Sequence, residues 1–173
     1  MITLSVLFYV LMVFFVLIGA LRGWSKEVLV FFAGIVSLAV VEVLLPKLTN
    51  GMPADRVLMF QLLALLACAF IGYQTPSLRR LLDTGRFERN STRDLIMGAF
   101  MGAFNGYLFV GSAWYFIAKA NYPFTQIIPP DAATEAGQEA IKILSLALPN
   151  YLQVPNIYYA IILGCLIVLG VFI

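Results

Sequence analysis

The sequence predicts an all-α integral membrane helical bundle: four core transmembrane helices, a fifth apolar C-terminal helix and an amphipathic helix in the outer interface. Three observations carry this. Of the 173 residues, 62% are apolar and only 12% charged, whereas a soluble domain is about 45–50% apolar and roughly 25% charged. The chain therefore lacks the charge to coat a water-facing surface. The mean hydropathy is +0.94, and the apolar residues fall into long runs close to the roughly 20 residues that cross a bilayer core. The basic residues, in turn, gather in particular connections between those runs. Such spans consume nearly the whole length, so residues 1–173 read as a single membrane domain with no room for a soluble catalytic domain.

The first run, Ile2 to Leu21, is uncharged and predicts a helix over about 2–22. A cleavable signal peptide fits it poorly, because no basic segment precedes it and it exceeds the roughly 7–15 residues of an apolar signal core. It ends at Arg22, Gly23, Trp24, Ser25, Lys26 and Glu27, a charged turn with an interfacial aromatic, where Ser25 is a candidate cap for the next helix. The second run predicts a helix over 26–45 that stops at Pro46, followed by a turn-rich connection with Asn50, Gly51 and Pro53. A third helix is expected over 55–83, kinked at Pro76, and a fourth over 92–119. Between them lies the most polar segment, with Arg79, Arg80, Arg86, Arg89 and Arg93.

After Lys119 come Pro123, Pro129 and Pro130, and then 131–148, where acidic residues lead and Ile141, Leu144 and Leu148 share a helical face. That pattern predicts an amphipathic interfacial helix capped by Asp131. The last run, over 156–173, is barely long enough to span. Orientation follows from the basic residues: Arg22 and Lys26 in the first connection and the five arginines in the third mark both as cytoplasmic, which places the N-terminus outside.

Composition also narrows the chemistry. The chain has no histidine, which removes the most frequent general base and the commonest metal ligand. A net charge of +2 gives no reason to expect nucleic acid as a partner. Cys68 and Cys165 lie inside apolar runs and read as small core residues rather than a disulfide, a metal site or a reactive thiol. No nucleophile–base pair, metal-ligand cluster or phosphate-binding loop is legible, so neither an enzyme, a cofactor nor a small-molecule substrate is expected.

What remains is packing, charge and lipid. Gly98, Gly102 and Gly106 recur every fourth residue and share one face of the fourth helix, where missing side chains let another backbone approach. An internal helix contact is the plainer reading of that face, and self-association or docking to a partner subunit is the alternative. Asn105 stands beside it and could donate a hydrogen bond across a helix pair. Glu42 is the one acid inside an apolar run, a candidate relay by position, although at a helix end it could pair with Lys47 or reach headgroups. Gln61, Ser37 and Ser112 read as interhelical hydrogen-bond partners. The arginines from Arg79 to Arg93 could hold anionic lipid headgroups or serve only to orient the spans.

Two blocks, GALRGWSKEVLVFFAGIVSLAVV and STRDLIMGAFMGAFNGYLFVGSAWYFI, followed by IIPP and an amphipathic helix, cover most of residues 2 to 150. Together they resemble the colicin V production protein (CvpA) family of small bacterial inner-membrane proteins. Arg22, Gly23, Lys26 and Glu27 are the motif positions of the first block, with no catalytic role attached. The resemblance implies an integral membrane protein associated with toxin production or export and with envelope physiology. Members of that family often carry an arginine near the position of Asn105, where this sequence has a neutral amide. The fifth apolar run extends beyond the family's usual four-helix plan and suggests an added contact surface. The leading expectation is a non-enzymatic membrane protein with a structural or assisting role in an envelope or toxin-export process. An accessory subunit of a larger respiratory or photosynthetic membrane complex is the alternative, and a small transporter coupled through Glu42 is a second one.

Overall fold

The computed structural model describes residues 4–74 and 91–172, and among these every regular element is helical. The main helices are α1 (Leu4–Arg22), α2 (Trp24–Leu48), α3 (Ala54–Gln74), α4 (Ser91–Lys119), α5 (Glu135–Ser145) and α6 (Asn156–Phe172). Helices α1 to α4 are long and apolar enough to cross a membrane. The 17 residues of α6 extend roughly 25 Å at 1.5 Å per residue. Arg79, Arg80, Arg86 and Arg89 lie outside the described residues, as does the expected course of the third helix beyond Gln74.

The bundle is organised around α2. Its Val30, Ile35, Leu38 and Val41 form one buried cluster with Leu58 and Leu65 of α3, Leu108, Phe109 and Phe116 of α4, and Ile157 of α6. Gly72 lets α3 approach closely, for a Cβ there would lie 3.1 Å from the Cα of Val30. On the far side of α4 runs α1, antiparallel to it. Along the spans, the exposed residues include many large apolar ones, such as Val13, Leu17, Leu63, Leu66, Ile162 and Leu166, which suit a lipid-facing surface.

The glycine face of α4 is the seam with α1. A Cβ on Gly102 would collide with the carbonyl oxygen of Phe15, one on Gly98 with that of Gly19, and one on Gly106 would come within 2.9 Å of the Phe15 Cβ. Gly19 of α1 completes the contact from its side. Backbone therefore touches backbone along the crossing. In lipid, where no hydrophobic drive separates helix contact from lipid contact, that close packing is what holds a helix pair together.

Several local expectations are revised. Helix α2 begins at Trp24 rather than 26, and Ser25 is not its cap. The N-cap is Gly23, at φ 83°, and the Trp24 amide donates instead to Asp94 Oδ1 of α4 at 3.3 Å. Nor does α2 stop at Pro46. Proline has no N–H to return to the Glu42 carbonyl; the Leu45 amide instead bonds the Val40 carbonyl, and a π-helical turn over Val40–Leu44 carries the helix on through Leu48.

The amphipathic helix is shorter than 131–148 and is capped by Thr134, whose Oγ1 accepts from the Gly137 amide at 3.1 Å. Asp131 is occupied otherwise: its Oδ1 accepts from the amide of Ala133, two residues on, at 2.9 Å, a local turn that competes with capping. The face it buries holds Gly137 and Ala140, with Ile143 and Leu144 beside them, whereas Ile141 is exposed. Docked along the α1–α4 pair, it takes a hydrogen bond from Tyr9 at Glu139 (2.6 Å) and from Tyr107 at the Leu146 carbonyl (2.7 Å). Cys165 is exposed on α6 and Cys68 half-buried, and both are free thiols; Cys165 is thus a lipid-facing residue rather than a core one.

Gly102→Ala should lower the thermal stability of the detergent-solubilised protein by about 1–3 kcal/mol, the usual cost of overpacking. The control is Gly170→Ala, where a Cβ meets nothing within 4 Å and stability should hold or rise. Equal effects of the two would show that the α1–α4 seam is not a tight contact.

Candidate functional site

Buried charge in a membrane helix is costly enough to mark a site, and the structure places such a charge where sequence reading saw only a motif. Glu27, in the first turn of α2, has a side chain with no solvent exposure. Gly23 makes this possible. Its positive φ, a region disfavoured for residues with a Cβ, turns the chain from α1 into α2, and a Cβ there would lie 2.5 Å from the Asp94 carboxylate. Helix α2 therefore starts hard against both α1 and α4, with Glu27 pointing between them.

Arg22, the last residue of α1, answers the charge. Its Nη1 donates to Glu27 Oε1 at 2.7 Å, and its side chain is 21% exposed. The same guanidinium donates through Nη2 to the Tyr73 carbonyl at 3.1 Å and lies over the Tyr73 ring, 4.4 Å from its centroid. A planar cation with a fork of donors can do this, and a lysine cannot. Arg22 thereby joins the end of α1 to the backbone of α3 as well as to Glu27. Tyr73 is fixed from the other side by Phe15, edge-on at 6.2 Å.

Asn105 closes the cluster from α4. Fully buried, it donates from Nδ2 to Glu27 Oε2 at 2.7 Å and to the Glu27 backbone carbonyl at 3.0 Å. Both protons of one amide are thus spent on one residue of α2. The expected hydrogen bond across a helix pair is present, and its acceptor is the motif glutamate. An arginine in this position would bring a further cation to the carboxylate that Arg22 already pairs.

The other candidate residues lie apart from the cluster. Gly98 and Gly102 flank it at the α1 seam, and Lys26 is half-buried one residue before Glu27. Gln61 is half-buried on α3, and Arg93 is exposed in the first turn of α4. Ser37 and Ser112 are fully buried, Ser37 beside Cys68 of α3. Glu42 sits half-buried in the π-helical turn at the opposite end of α2, and the ion pair found among the described residues is Arg22–Glu27, with none from Glu42 to Lys47. Asp94 and Tyr73 were missed by sequence reading. Asp94 at the start of an apolar helix gave a signal for an N-terminal charge, but none for the helix it would cap; Tyr73 gave none. Among the described residues, no group of three or more His, Cys, Asp or Glu side chains could hold a metal ion.

This arrangement, an Arg-Gly turn, a buried glutamate and a glycine-lined fourth helix locked onto the first, lies within residues 4–136, which match the family model of the colicin V production protein. The chain belongs to that family. Comparison with curated proteins and with solved structures found no match. Family membership and the apolar helices together make it a multi-pass membrane protein of the kind tied to colicin V production.

Glu27→Ala and Arg22→Ala should each destabilise the protein by about 3 kcal/mol, because each leaves a charge without its partner away from bulk water. Exchanging the pair for Met at both positions should cost far less than the sum of the single changes. Thermal unfolding in one detergent would measure this, and additive effects would show that the pair is not coupled.

Proposed function

We propose that this member of the family is a non-enzymatic protein of the bacterial inner membrane with a structural or assisting role in an envelope process or in toxin production or export. One observation supports the reading above others: among the described residues, the fully buried charged group, Glu27, is consumed in tying helices together. Glu27 gives one oxygen to Arg22 and the other to Asn105, and its side chain has no exposed surface through which a substrate could reach it. A carboxylate so engaged works as a fastening, whereas a relay or general base needs an open approach.

In the orientation favoured by the basic residues, the N-terminus is outside. The 22–27 turn and the 79–94 connection are then cytoplasmic, and α5 lies on the outer side. With its glycine face occupied by α1, contact with protein partners would use the outward surfaces of α3, α4 and α6. An accessory subunit of a larger membrane complex is the second reading, and it is favoured by the packing of α6, whose Gly164 seats Phe32 of α2. That helix adds a lipid-facing surface outside the matched residues 4–136.

In a toxin-producing host that depends on the protein, Glu42→Gln should restore toxin release to the deleted strain as well as the native chain does, whereas Gly102→Leu should not. Loss of function in Glu42→Gln, together with a proton or solute flux in proteoliposomes that the substitution abolishes, would favour a transporter instead. Crosslinking in native membranes separates the first two readings: self-oligomers or a transient partner fit the assisting role, and one large complex in fixed ratio fits the subunit. A phosphatase reporter placed after Gly51 should be active outside the cell and one placed after Arg86 inactive; the reverse pattern would invert the topology.

A further inference from the structure

Between α2, α4 and α6 the bundle leaves an open groove of about 550 Å³, within the range of about 300–1,000 Å³ that ligand pockets occupy. Its walls are wholly apolar: Trp24, Val28 and Phe31 on one side, Ile96, Met97, Phe100, Met101 and Phe104 on the other, with Ile167 of α6 at the margin. The aromatic wall is ordered, with Phe100 and Phe104 edge-to-face at 4.9 Å and Phe31 meeting Phe104 at 6.4 Å. Phe100 is 65% and Ile96 61% exposed. The cluster that fastens Glu27 does not use these side chains.

Two features choose the occupant. Along α4 the groove runs from Ile96 to Phe104, about 12 Å, which is most of one leaflet of a hydrocarbon core roughly 30 Å thick. A transmembrane helix would need a seam through both leaflets, whereas an acyl chain needs only one. At the polar end, Arg93 stands one helical turn before Ile96 and Met97, on the same stripe as Phe100, and is exposed. The carboxylate of its neighbour Asp94 is engaged by the Trp24 amide. A phosphate placed at Arg93 would thus continue directly into a chain lying in the groove.

We propose that this groove is a binding site for a single anionic glycerophospholipid, with an acyl chain against Phe100, Phe104 and Trp24 and the phosphate held by Arg93. The chain supplies the reporter itself, since Trp24 and Trp114 are its two tryptophans and Trp114 is buried. In a Trp114→Phe background reconstituted in phosphatidylcholine vesicles, brominated phosphatidylglycerol should quench Trp24 at about fivefold lower mole fraction than brominated phosphatidylcholine. That factor corresponds to the roughly 1 kcal/mol that one basic residue contributes near an anionic surface. Arg93→Gln should bring the two quenching curves together, and Met101→Phe, which fills the groove, should weaken quenching by both lipids. Superimposed curves in the Trp114→Phe parent would overturn the proposal. So would a Trp24 shielded from both lipids, which would mean that a second copy or another helix fills the groove.

Discussion

Glu27 is a carboxylate with no solvent-exposed surface, and the bundle is arranged around keeping it there. Removing a carboxylate from water costs several kcal/mol even after relaxation, so the position is tenable only while Arg22 and Asn105 stay within hydrogen-bond reach. Those two residues come from the end of α1 and the middle of α4. The same arginine is spread further, onto the carbonyl and ring of Tyr73 at the end of α3. Four helices thereby meet at one polar point, and none can slide along its axis by a turn without leaving a buried group unpaired. Apolar packing in lipid offers no such penalty, because a shifted helix exchanges one hydrocarbon neighbour for another. Register here is an electrostatic property.

Distance is set separately, by glycine. The seam between Gly19, Gly98 and Gly102 brings α1 and α4 to backbone contact, and a bulkier crossing would carry Arg22 away from the carboxylate. The two devices therefore depend on one another. Close approach lets the ion pair form at 2.7 Å, and the ion pair fixes which glycines face each other. Gly23 belongs to both, since its turn aims Glu27 inward while its missing side chain leaves space for Asp94.

Much of this was legible in the chain. The period of the glycines named the packing face of α4, and the apolar runs located the spans, because both signals are local and repeat. Asn105 could be read as a donor because an amide inside an apolar run must find an acceptor. What could not be read is which distant group answers each polar residue. Ser25 looked like the cap of α2, yet Asp94, 70 residues away, takes the Trp24 amide. Asp131 had the right side chain to cap α5, yet an amide two residues on captured it first and left Thr134 the role. Pro46 reads as a helix stop, but shifting one hydrogen bond into the π register costs less than unwinding apolar backbone where no water can satisfy it. Each miss concerns a polar group with several possible partners, and only the assembled bundle chooses between them.

The two acids of α2 show why burial alone does not identify a working group. Glu27 and Glu42 are 15 residues apart, about 22 Å along one helix, and in the sequence Glu42 stands out as the one acid inside an apolar run, near a helix end, while Glu27 is only a motif position at a turn. It is Glu27 that fastens the bundle. Glu27 is the more buried, yet both its carboxylate oxygens are engaged by specific donors. Glu42 is half-buried within a π-helical turn that has given up a regular hydrogen bond. The Glu27 end of α2 is therefore locked by hydrogen-bond geometry to α1 and α4.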